Sequence, residues 1–127
     1  MKSKMLLALF ALVLACGTLL AHHGTGISYD TSKSVELKGT VTEFVWKNPH
    51  AHILFDVKEG SGNVVKWAAE GSSPTNWGRQ GWTRTTLKPG DEITITVNPS
   101  KAGTNVGVVT KVVLPGGKVM SRGNTTD

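Results

Sequence analysis

VELKGTVTEFVW, residues 35–46, is the stretch on which the fold turns. Val35, Leu37 and Val41 share one parity, as the inward face of a β-strand requires, whereas Phe44 and Trp46 fall on the other. A strand that goes on burying apolar side chains through such a change needs one extra residue, and a β-bulge near Thr42 and Glu43 supplies it. Gly39 marks a bend or a close backbone approach within the same strand. The pattern predicts a long, strongly bent first strand, of the kind that serves both halves of a small barrel.

Working outward toward the C-terminus, Asn48-Pro49 interrupts the strand and HAHILFDV, residues 50–57, begins the next. Ala51, Ile53, Phe55 and Val57 form its apolar face, which turns His50, His52, Leu54 and Asp56 outward. EGSGN reads as a turn and VVKWAAE as a third strand. Ser73 is a helix cap, Pro74 suits the first helical position, and a short helix to about Gln80 is stopped by Gly81. A Pro-Gly-Asp turn leads into a fourth strand carrying Ile93, Ile95 and Val97; NVGVVTKVVLP makes a fifth, PGG a tight turn, and SRGNTTD a fraying polar tail. The expected class is all-β: a small five-stranded OB-like β-barrel with one short helix between strands three and four. A β-sandwich is the alternative, disfavoured by the position of the helix and the bend of the first strand.

Toward the N-terminus the chain changes character. Met1-Lys2-Ser3-Lys4 is a cationic start, and MLLALFALVLACGTLL behind it is uncharged and apolar, ending at Ala21. At about 16 residues the run is short of the roughly 20 that span a bilayer, so it reads as a secretory signal peptide over residues 1–21. Leu19 and Ala21 suit a signal-peptidase site, which would leave residues 22–127 as a single domain starting on the free amine of His22, with a flexible segment before the first strand. A competing lipobox-like cut at Cys16 would leave a lipidated terminus instead. The expected destination is export, to the periplasm. Cys16 is the only cysteine, so the exported domain folds without disulfides, on a core that about 106 residues can supply. Its basic residues are scattered among acids, a pattern unlike a nucleic-acid stripe.

HHGTGISYD after the signal, then G-x-V-x-x-F-x-W-x-N-P-H, W-x-x-E, G-W and L-K-P-G-D in that order, resemble a group of small exported bacterial proteins catalogued only as a domain of unknown function. The resemblance spans the exported chain and is most specific from Trp46 to His50; Gly24 and Thr25 stand where bulkier residues are common. It implies an exported OB-like barrel and no particular activity.

All four histidines lie in two close pairs, His22 with His23 and His50 with His52. Residues two apart on a strand share a face, and pairing the second and third strands about Ser61 sets His52 opposite Glu70, or His50 beside it after a slip of two. His22, His23, His50, His52 and Glu70 are therefore the candidate metal ligands. Imidazole suits copper, zinc and nickel; the carboxylate serves either as a third ligand or as the acceptor that orients an imidazole. Copper comes first, because an N-terminal histidine offers amine and ring together to Cu(II). Solvated surface histidines and a purely structural NPH turn are the plain alternatives.

Trp77 and Trp82 are readable either as a face for a saccharide or as a plug in the barrel end, the plug being favoured. The expected exported domain has no elbow serine, phosphate loop, zincin helix or thiol, so an enzyme is not indicated. The expected function is metal handling or delivery. The competing expectation is an accessory module that holds a partner protein or small ligand at the barrel mouth.

Overall fold

The structure is a computed structural model that describes residues 27–121. The segment expected to be a signal peptide, Cys16, His22, His23 and the last six residues lie outside the described residues. Six strands and one helix follow in order: β1 (Val35–Val45), β2 (His52–Lys58), β3 (Val64–Glu70), α1 (Pro74–Arg79), β4 (Glu92–Pro99), β5 (Val106–Val113) and β6 (Val119–Ser121).

β1 does what its broken parity requires. Its first half, Val35 to Thr40, pairs antiparallel with β4, and its second half, Thr40 to Val45, pairs with β2. The register shifts between Val41 and Glu43, so the bulge lies where the apolar residues change face. Gly39 is a close approach: a Cβ there would stand 2.6 Å from Cδ2 of Phe55. The sheet runs β3-β2-β1-β4-β5-β6, and a parallel pairing of Ala68–Glu70 with Val106–Val108 closes five of the strands into the barrel.

The interior is the alternating set expected from the strands. Val41, Ala51, Ile53, Phe55, Ala69, Ile95, Val97 and Val112 are buried. α1 caps one end, its start fixed by Ser73, whose hydroxyl accepts from the Asn76 N–H, and by Pro74 in the first turn. Trp77 and Trp82 stack with ring centroids 4.2 Å apart and are both buried, so they plug the barrel.

Two differences from the expectation are local. A sixth strand, β6, pairs with Lys111–Val113 and buries Met120, so Ser121 ends a strand instead of starting the tail. Three residues are too few for alternation to announce a strand, and only Met120 faces inward. The stretch ahead of β1, expected to be loose, is laced down from Ser28 to Asp30: Lys101 N–H donates to the Ser28 carbonyl at 2.9 Å, Asp30 N–H to the Pro99 carbonyl at 2.8 Å, and Tyr29 bridges Ser100. No described helix is long and apolar enough to cross a membrane.

Candidate functional site

The turn between β1 and β2 contains a cis peptide at Asn48-Pro49. Just after it, Ala51 is fully buried, and its backbone extends the β2–β3 ladder: its N–H donates to the Ser72 carbonyl at 2.9 Å, and its carbonyl accepts from the Gly71 N–H at 2.8 Å. With Ala51 turned into the core, His50 and His52 on either side of it face out. The expected register holds, His52 lying opposite Glu70. The hydrogen bond, however, runs diagonally: Nδ1 of His50 meets Oε1 of Glu70. An ionised carboxylate only accepts, so Nδ1 carries the proton in this pair.

Tyr29 is the member of the site that the sequence did not reveal. Its O–H donates to Oε2 of Glu70 at 2.5 Å, so each carboxylate oxygen has one partner. The lacing of Ser28–Asp30 onto Pro99–Lys101 holds the phenol there. Asp30 shapes the next turn, its Oδ1 accepting from the Ser32 backbone at 3.1 Å and from the Ser32 hydroxyl at 2.6 Å. A lone tyrosine just after a histidine pair was the one available signal. Nothing local says that it will cross to Glu70.

Charge follows geometry. Burial acts to raise the Glu70 carboxyl, but the hydrogen bonds from Tyr29 and His50 and the nearby charge of His50 and His52 outweigh it, and the group sits below its ordinary value of 4.5. Burial first, then the hydrogen bond to Glu70 and its charge, push the Tyr29 phenol above its ordinary range. A depressed carboxyl contributes stability that is present above its unfolded value and lost as the pH falls through its folded one. A raised phenol contributes stability present below its unfolded value and lost as the pH rises through its folded one. Acid melting of the wild type should therefore steepen below about pH 4.5, and Glu70→Gln should flatten that limb. The chain has one tyrosine, so ultraviolet titration of phenolate reads Tyr29 alone. Glu70→Gln should return it toward its ordinary 10.0; ionisation of the wild type at that value would mean the bond is not made in solution.

Beside His50 a pocket of about 390 Å³ is lined by Tyr29, Thr31, Glu70, Gly71, Ser72 and Val108. The His50 side chain is half exposed and Glu70 is mostly covered, so the imidazole is the accessible member of the chain. Among the described residues no group of three or more histidine, cysteine or acidic side chains is placed to hold a metal ion. His50, His52 and Glu70 come together; His22 and His23 lie outside the described residues.

No curated protein and no solved structure matches this chain. One family model does, from residue 11 to residue 110, a span that takes in Tyr29, the NPH turn, Glu70 and all of the barrel but the end of β5. The protein with this tyrosine–glutamate–histidine chain belongs to that family, the family of unknown function DUF6152.

Proposed function

We propose that this is an exported, periplasmic protein that holds a transition-metal ion, copper first, at the mouth of its barrel for handling or delivery. The observation that carries the reading is the pairing of Nδ1 of His50 with Glu70. A carboxylate on one ring nitrogen fixes the tautomer and aim of an imidazole and makes the other nitrogen the better donor, as at most histidine metal ligands. Both Glu70 oxygens accept hydrogen bonds, so its part in this reading is to orient His50. His52, opposite Glu70 on the same strand face, supplies a second imidazole. Two imidazoles are too few for tight binding, and signal cleavage before His22 would add a terminal amine and two more rings, a nitrogen-rich set that suits Cu(II).

Two measurements test this. Mass spectrometry of the exported protein should give a chain starting at His22; a lipidated Cys16 would remove the free amine and with it the strongest ligand. Calorimetric titration of that chain with Cu(II), Zn(II) and Ni(II) should show one saturable site, with Cu(II) bound tightest. If none of the three binds saturably, the metal reading falls. The pocket beside His50 then favours the second reading, an accessory module that takes a small ligand or a partner's side chain there.

A further inference from the structure

We infer that Tyr29 is the positioning residue of this site, a deepening that rests on the metal reading above. Its phenol acts at one remove. The O–H holds Oε2 of Glu70, which leaves Oε1 as the atom that receives the His50 Nδ1–H. A carboxylate gripped at one oxygen cannot rotate freely, so the direction in which Nε2 of His50 points is set from Tyr29. The phenol is itself fixed, because the residues on either side of it are hydrogen-bonded to Pro99 and Lys101 and Tyr29 bridges Ser100.

A tyrosine that merely fastened a loose segment would need its ring and its backbone bonds, and its O–H would be dispensable.

Tyr29→Phe separates the two roles, since it keeps ring and backbone and removes only the donor. In the metal-free protein, long-range nitrogen–proton NMR of the His50 ring should show the Nδ1–H tautomer dominant in the wild type and depleted in the variant. Cu(II) affinity by calorimetry should fall about 10-fold, the lower end of what loss of an outer hydrogen-bond partner costs a metal site. Glu70→Gln is the second variant and should shift the tautomer at least as far, whatever Tyr29→Phe does to the fold. An unchanged tautomer in Tyr29→Phe overturns the inference, as does an unchanged Cu(II) affinity where Glu70→Gln weakens it. A wild type that binds no Cu(II) overturns the metal reading instead, and the tautomer measurement alone then decides whether Tyr29 positions His50.

Discussion

Gly71→Ala is expected to lower the unfolding free energy by about 3 kcal/mol, read as a fall in the midpoint of chemical denaturation. The added Cβ would stand 2.2 Å from Cη2 and 2.3 Å from Cζ2 of Trp77. That ring cannot retreat: it is 1% exposed and stacked on Trp82, with Phe44 and Trp46 at its flanks. Nor can the helix beneath it shift cheaply, since the Trp77 N–H is tied to the Ser73 carbonyl at 3.0 Å. The backbone at residue 71 would have to move, and it donates to Ala51 in the hydrogen bond that seats the NPH turn. The variant should therefore disturb His50 along with the core. Gly78→Ala is the control: it sits in α1, its new methyl would meet nothing within 4 Å, and it should be neutral or stabilise by up to about 1 kcal/mol. Equal effects of the two substitutions would mean that Trp77 does not pack against Gly71.

These residues also show where sequence reasoning reaches and where it stops. The parity change in β1 placed the bulge, and the alternation in β2 and β3 around one turn narrowed the register to two, of which the one with His52 opposite Glu70 is found. Ser73-Pro74 announced α1. All of these are local signals, or follow from pairing between strands joined by a short turn. Tyr29 belongs to another kind of fact. Its backbone bridges Ser100 and its hydroxyl bonds Glu70, 41 residues away, and neither contact exists until the barrel has closed. The diagonal choice of His50 over His52 was equally hidden. Register says which side chains share a face; it does not say which of two imidazoles a carboxylate takes, and here the carboxylate is also held at its other oxygen by Tyr29.

The second large effect concerns whether the two histidine pairs serve one ion. If they do, His22→Ala with His23→Ala, and separately His50→Ala with His52→Ala, should each weaken Cu(II) binding on the order of 100-fold or more, because a tethered arm acts at high effective concentration and losing either arm forfeits that gain. Counted to the first strand, the segment that begins at His22 spans about a dozen residues and reaches on the order of 40 Å when extended, so distance alone does not forbid one shared site. The two losses should also fail to add, the quadruple variant being little worse than either double, as for residues that act as one unit. If each double variant instead keeps an independent site, the pairs do not converge, and the protein is an N-terminal chelator joined to a barrel whose NPH turn has another task. If neither double variant changes metal binding, the oriented imidazole of His50 faces a partner or small ligand, and the pocket lined by Thr31, Ser72 and Val108 is where that ligand should be sought.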